Sequence, residues 1–418
     1  MFKHYLLLRY NLYLYGNNPY SVPNPDQWME NRLPMYQRLI SSLEKQSVKN
    51  FTLLISLCED TPQRYVDQIK QVTTVPYEIC YIQPHEYIKN YKEKEADWLI
   101  TSRIDNDDEY LSDFIKDIQD NFRQETEILD VKGWQKKGHQ YYTSGRNTPN
   151  SPFITLVEPW GYPETAMHRP HSLMNSVYPA RFIGDKPYYI QHIHGNNVAN
   201  KIIGKPIKLK TVVGIATFDK RPVERVIDSL AYQCDEIIVY DNEVNPDLTD
   251  NGKFFGLTKL YEPCYYLTCD DDLLYPKDYV KNLTSKIDKH QSIVTYHGRK
   301  LKGLDVSYYR GHKNYRCLDS VGMDERIDVC GTGVTGFRTD YFNPVGIHNA
   351  QDKRMSDLVF SLEAAKNQKI ITILEHKSGW IKHLPIDMSR TIAAQDSRNE
   401  TRQIELANQI YKMNYEKK

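Results

Sequence analysis

The sequence predicts an α/β chain of two domains, each a mostly parallel sheet flanked by helices. Three observations carry that expectation. The first is Tyr265 to Pro276, Tyr-Tyr-Leu-Thr-Cys-Asp-Asp-Asp-Leu-Leu-Tyr-Pro, where strand-prone residues run into three carboxylates, Asp270, Asp271 and Asp272. Clustered carboxylates repel one another and resist desolvation, so a cluster at the end of a buried strand calls for a counter-charge. A hard divalent cation held by oxygen ligands and substrate phosphates supplies one, and open α/β sheets bind ligands just beyond the carboxyl ends of their strands. A solvated acidic turn is the commoner meaning of clustered Asp, but the apolar run leading in and Leu273-Leu274 leading out argue against it here. The second observation is a second copy about one domain length upstream. There Trp98-Leu-Ile-Thr-Ser-Arg-Ile104 enters Asp105-Asn106-Asp107-Asp108, with Tyr110-Leu111 behind it. The third is the alternation of strand-like and helix-like segments in both halves.

Bulk composition narrows the function. At 418 residues there is room for two ordinary cores. Lys plus Arg and Asp plus Glu balance at 54 each, so charge gives no case for nucleic acid or an anionic membrane. No 18-residue apolar run is present, and the short apolar stretch before Arg9 reads as a first strand, not a signal peptide. Seven cysteines form no CxxC pair, which points to reduced thiols and a cytoplasmic protein. Thirty-two tyrosines offer rings that stack on sugars and still donate a hydrogen bond.

In the first half, Tyr5 to Leu14 reads as a strand and Gly16-Asn-Asn-Pro19 as a turn. Arg32 to Gln46 has helical spacing at Leu33, Tyr36, Leu39, Ile40 and Leu43. Phe51 to Leu57 is a buried strand, Arg64 to Val72 a helix, Tyr77 to Ile82 a strand, and Trp98 to Ile104 the strand that carries the acidic cluster. Ser112 to Asn121 is a helix, and loops rich in Gly, Pro and aromatic residues follow. Gln191-His-Ile-His-Gly-Asn-Asn197 sets His192 and His194 on one side if extended; one of the two reads as a third metal ligand, the alternative being a polar loop whose imidazoles cap backbone groups. The basic stretch Lys201 to Lys210 marks the junction, dividing the chain into residues 1–205 and 206–418.

The second half restarts with the strand Thr211 to Thr217, the loop Phe218 to Pro222 and the helix Val223 to Tyr232. The strand Glu236 to Tyr240 ends in Asp241-Asn242, so two successive strands end in polar residues suited to a nucleotide. Asp250-Asn-Gly-Lys253 brings a cation towards its phosphates, and Asp270 to Asp272 closes the nucleotide half. Asp278 to Lys289 is a helix and Ser292 to His297 a strand. The Gly-rich run Gly331 to Gly336 permits close backbone approach to a ligand. Ser356 reads as the cap of a helix with Asp357 in its first turn. His383 follows Trp380, and Thr401 to Tyr415 is a surface helix with Ile404, Ala407 and Tyr411 facing the body. No G-x-G-x-x-G or P-loop pattern occurs, which removes those nucleotide-binding readings.

These residues resemble two glycosyltransferase families. The second half resembles the GT-A fold, family-two type. The match rests on Gly214-Ile-Ala-Thr-Phe, Asp241-Asn242, Gly252-Lys-Phe-Phe, Cys269-Asp-Asp-Asp-Leu-Leu-Tyr-Pro276, Gly331-Thr-Gly333 and Ser356-Asp357. The first half resembles the rhamnosyltransferase family, through Thr101-Ser-Arg-Ile-Asp-Asn-Asp-Asp108 and the His-x-His-Gly segment. The resemblance implies two tandem GT-A-like (nucleotide-diphospho-sugar transferase) domains. It implies nucleotide-sugar donors, a glycan acceptor, and Mn²⁺ or Mg²⁺ as cofactor; the balanced charge and missing membrane span point to a soluble or lipid-linked glycan acceptor met at the membrane face. Thr217, Asp241, Lys253 and Asp271 would then serve the nucleotide. Asp270 and Asp272 would hold the metal, with His383 completing its shell or contacting phosphate, and Asp357 would be the general base of an inverting transfer. In the first domain Asp105, Asp107 and His194 take the metal role and Glu158 or Glu164 the base.

Two rivals use similar residues. A phosphatase of the haloacid dehalogenase type also carries Asp-x-Asp after an apolar strand, but on its domain's first strand, whereas Asp270 comes about 60 residues in. The other is a chain with one active transferase domain, its partner serving as a non-catalytic glycan-binding scaffold.

Overall fold

A computed structural model describes the chain except residues 16–21, 91–95, 147, 195–200, 219–222, 261, 345, 386–399 and 417–418. The expected turn at 16–19, the end of the His-x-His-Gly segment and the end of the 218–222 loop lie outside the described residues. The chain divides into two compact units, Met1–Lys208 and Leu209–Lys418.

The first unit is built on seven strands, in spatial order Ala180–Phe182, Glu127–Asp130, Thr155–Pro159, Trp98–Ile104, Phe2–Arg9, Thr52–Ser56 and Tyr77–Cys80. Four of the six pairings are parallel; the two made by Thr155–Pro159 are antiparallel. Successive side chains of a strand point to opposite faces. Leu6 and Leu8 therefore join Tyr36, Leu39 and Ile55 in one core layer, while Tyr5 and Leu7 meet Leu54, Leu99 and Trp160 in the other. Both faces are covered, which is why these strands read as continuous apolar runs. The first strand ends at Arg9, short of the expected Leu14. The following helix starts earlier than its apolar spacing suggested, at Pro25, and runs to Glu44.

A second sheet, built partly from residues expected to be loops, is ordered Pro206–Ile207, Gln140–Thr143, Trp134–Lys137, Tyr189–His192 and Glu109–Tyr110. Its last pairing, Ile190 opposite Glu109, brings the histidine segment to the acidic cluster. Its first strand carries the unit past residue 205.

The main sheet of the second unit runs Glu236–Asp241, Thr211–Thr217, Tyr265–Cys269, Val334–Arg338, Ile293–Thr295, Ile371–Ile373 and Glu325–Ile327. Val213, Ile215, Leu267 and Cys269 face Val226, Leu230, Tyr279 and Leu283 on one side; Val212, Tyr266 and Ile293 face Phe254, Phe337 and Phe360 on the other. Six strands repeat the first unit in order and in direction. In each unit a first strand lies between a parallel neighbour and the parallel acid-bearing strand. An antiparallel strand then bridges to a further parallel pair.

The helix Ser356–Lys366 begins at Ser356 itself; Met355 occupies the cap position and no side chain caps the helix. The last helix, Thr401–Tyr415, buries Gln403, Leu406, Ala407 and Ile410, a face turned from the one expected. All seven cysteines are free thiols, and six are buried. No helix among the described residues is long and apolar enough to cross a membrane.

Candidate functional site

In the second unit the polar residues gather at the carboxyl ends of the parallel strands. Thr217 lies opposite Asp241, and the Ile215–Cys269 register sets the acidic cluster at the same edge. Asp241 accepts the Glu243 N–H at 2.8 Å. Lys253 reaches this edge from the 3₁₀ segment Thr249–Lys259. Its carbonyl accepts the Tyr266 hydroxyl at 2.7 Å. Gly214 makes the approach possible, because a Cβ there would lie 2.1 Å from that carbonyl oxygen.

The Lys253 side chain is only 4% exposed, and its ammonium sits 2.5 Å from Asp270 Oδ1. Burial pushes an ammonium pKa down, yet Asp270 and Asp250 outweigh it and hold Lys253 well above the ordinary lysine range. The sequence reading placed Lys253 on donor phosphates; in the structure it neutralises the first carboxylate of the cluster. The Tyr275 hydroxyl accepts the Asp270 N–H at 2.8 Å and donates to Gly333 O at 2.7 Å. A Cβ on Gly333 would lie 1.8 Å from Asp270 Oδ2, so this glycine permits the close approach of the Asp270 carboxylate. Asp272 meets His383 at 3.7 Å, brought there by the pairing of Leu273 with His383.

Asp357 lies in the first helical turn, as expected. Its Oδ1 accepts both the N–H and the hydroxyl of Thr332, at 2.7 and 2.8 Å. Ser356 Oγ lies 2.6 Å from the same hydroxyl oxygen. Asp357, Asp270 and Lys253 line one cavity of about 550 Å³ together with His297, Arg299 and Tyr308. Burial lowers the His297 pKa, opposed by Asp357 and Asp270. The sequence reading missed His297, at the end of an expected strand, and Arg299 and Tyr308, which follow it.

In the first unit Asp107 is buried and is held by Arg32, from the helix Pro25–Glu44, and by His194 Nε2 at 2.8 Å. Asp108 accepts the His192 N–H at 2.7 Å, while the His192 ring pairs with Glu109 at 2.6 Å. Burial and the neighbouring Asp107 raise the pKa of Asp105 and, together with Asp105 itself, that of Asp108. Arg32 was legible in principle, since it shares a helical face with Met29, Tyr36, Leu39 and Leu43. An arginine on an apolar stripe calls for a buried acid.

Glu158 is not at this site. It pairs with Leu99, six residues before Asp105 and so roughly 20 Å away along the strand. Its carboxylate accepts the N–H groups of Glu164 and Thr165 at 2.9 and 2.8 Å, which makes it an anchor for that loop. Glu164 is exposed on the same loop. A first-unit cavity of about 380 Å³ is lined by Lys132, Trp134 and Arg146 and by none of the cluster carboxylates.

The described residues contain no group of three or more His, Cys, Asp or Glu able to hold a metal ion. What they offer is oxygen chemistry, Asp270 and Asp272 with His383 alongside. That suits a hard cation whose remaining ligands come from substrate phosphates.

Residues 23–206, less than half of the chain, match the family described as "Putative rhamnosyl transferase". No curated protein sequence matches the chain. Among solved structures, TarS residues 1–349 from S. aureus is similar at 15% identity over 46% of this chain and 60% of that one, with a TM-score of 0.29. The same fragment in complex with UDP gives 15%, 46%, 60% and 0.28. HddC from Yersinia pseudotuberculosis gives 15% identity over 45% of this chain and 93% of that one, with a TM-score of 0.29. The chain thus spans less than two-thirds of the TarS fragment, and likenesses of this size carry nothing about activity.

Proposed function

We propose that the chain is a bifunctional glycosyltransferase that moves sugars from nucleotide-sugar donors to a glycan acceptor, with inversion in the second unit. The observation that carries this reading is the cavity that unites Asp357 with Asp270 and Lys253. Thr217 and Asp241 flank the nucleoside at the strand ends. Lys253, paired with Asp270, holds that carboxylate in place beside the departing diphosphate. Asp357, steadied through Oδ1 by Thr332, takes the proton of the acceptor hydroxyl as its oxygen attacks the anomeric carbon from the face opposite the leaving group. Mn²⁺ or Mg²⁺, when bound by Asp270 and Asp272 with His383, supplies positive charge against that leaving group. For the first unit, support comes from the family match over residues 23–206 and the repeated strand order.

A screen of sugar nucleotides with the full chain tests the reading. Asp357→Ala should lower transfer by roughly 100- to 10,000-fold while the protein stays folded. A variant as fast as the parent would remove Asp357 as the base. Chelation by EDTA should abolish donor turnover, and full turnover in EDTA would remove the metal.

One observation favours a second reading, in which the first unit only positions the acceptor. In the second unit the helix bearing Asp357 lies between the strands Val334–Arg338 and Ile371–Ile373. Between the corresponding strands of the first unit lies only the short helix His171–Met174, which carries no carboxylate. Asp107→Ala separates the two: a bifunctional enzyme stalls with one sugar missing, and a scaffold still yields the complete product.

A further inference from the structure

We infer that the acceptor of the second unit carries fixed negative charge, a phosphate or a carboxylate, which seats against Arg299, Arg310 and Arg316. This rests on the reading of the Asp357 cavity as the acceptor site. Five cationic side chains line that cavity, Lys253, Arg299, Arg310, Arg316 and Arg354, against three carboxylates, Asp250, Asp270 and Asp357. Lys253 is already matched by Asp270 and Asp250. Arg299, Arg310 and Arg316 have no carboxylate within ion-pair distance among the described residues, whereas Arg338 and Arg402 each have two.

Arg299 is held for the purpose. Its guanidinium stacks on Tyr308 at 4.2 Å and donates to the Tyr308 hydroxyl at 2.9 Å. Its Nε is buried with no hydrogen-bond partner among the described residues. A buried donor left unpaired is costly. A neutral glycan entering the cavity would strip water from such groups and return no charge. An anionic group pairs with them directly, and guanidinium forks match phosphate and carboxylate oxygens in pairs.

The position also argues for the acceptor. The arginines lie on or beside the three-stranded sheet formed by Gly298–Lys300, Lys313–Tyr315 and Val329–Cys330. The proposed nucleotide residues Thr217 and Asp241, and the pair Asp272–His383, do not line the cavity. The positive wall is thus on the Asp357 side of Asp270, where the attacking hydroxyl arrives. Tyr308 and Tyr309 add rings on which a sugar face can rest.

The test is calorimetric titration of the full chain with glucose 6-phosphate, inorganic phosphate, glucuronate and glucose, at low and high salt, with UDP as a separate arm. At least one anion should bind more tightly than glucose and weaken with salt; the phosphate and glucuronate arms tell which anion is preferred. Arg316→Gln, at an exposed position where folding is not at stake, should weaken that anion about tenfold, the loss of one charge-assisted hydrogen bond. Arg299→Gln should do the same. Failure of every anion to exceed glucose overturns the inference. So does an equal loss of UDP binding in both variants, since the arginines would then serve the donor. Sugar-nucleotide turnover by the parent protein reports on the transferase reading independently. Turnover without anion binding sinks the inference alone, and anion binding without turnover sinks the transferase reading and leaves the anion site standing.

Discussion

Burial lifts the Glu158 carboxyl to about 7, the value a general base would want, yet its place beside Leu99 keeps it from the acidic cluster. The shift therefore belongs to stability. Glu158 binds a proton more readily folded than unfolded, so its contribution to stability is greatest below the ordinary glutamate pKa of about 4.3 and is lost as pH rises to about 7, by up to about 3–4 kcal/mol. Thermal melts between pH 5 and 8 should show the decline, and Glu158→Gln should flatten it. At Gly333 a single methyl tests the site itself. Gly333→Ala must drive the Asp270 carboxylate aside, so transfer should fall while circular dichroism stays unchanged; undiminished transfer would mean Asp270 need not sit where Lys253 holds it.

At the scale of the element, legibility followed burial. Trp98–Ile104 and Thr211–Thr217 are buried almost end to end, and their limits match the expected strands to the residue. The five-stranded sheet of the first unit was not legible. Its strands are two to four residues long, too short for alternation to show, and their hydrogen bonds depend on partners up to 81 residues away in sequence. The same holds for Arg299, Tyr308 and Arg316, which reach the cavity through short strands and turns. The final helix failed differently. Ile404, Ala407 and Tyr411 share one helical face, and Gln403, Leu406, Ala407 and Ile410 share the next, about one residue's rotation away. Spacing cannot choose between two such faces when both hold apolar residues. Ile410 is fully buried, so Ile410→Ala should cost about 2–5 kcal/mol. Tyr411→Ala should cost less, and chemical denaturation of the two variants compares them.

At the scale of the whole molecule, the carboxylate clusters told the sequence reader that two halves exist, and the six repeated strands give that repetition its structural form. What the sequence withheld was the fate of the charges: Lys253 on Asp270 and Arg32 on Asp107 join residues that only the folded sheet brings together. The two compact units predict that residues 1–208 and 209–418, expressed apart, each give a cooperative melt. A fragment that stays unfolded would mean that its unit needs the other half for stability.

The repeated strand order also bears on how the chain reaches its native state. Two sheets of one pattern in one polypeptide invite exchange, a strand of one completing the other. The order of synthesis works against it. Every strand partner of the first unit, down to Pro206–Ile207, lies before Leu209 in the chain. At 5–20 residues per second, translating the second unit takes roughly 10–40 s. The first sheet therefore has its whole set of partners in hand before most competing strands exist. Refolding from denaturant removes that head start, and there the exchanged, misassembled forms should accumulate.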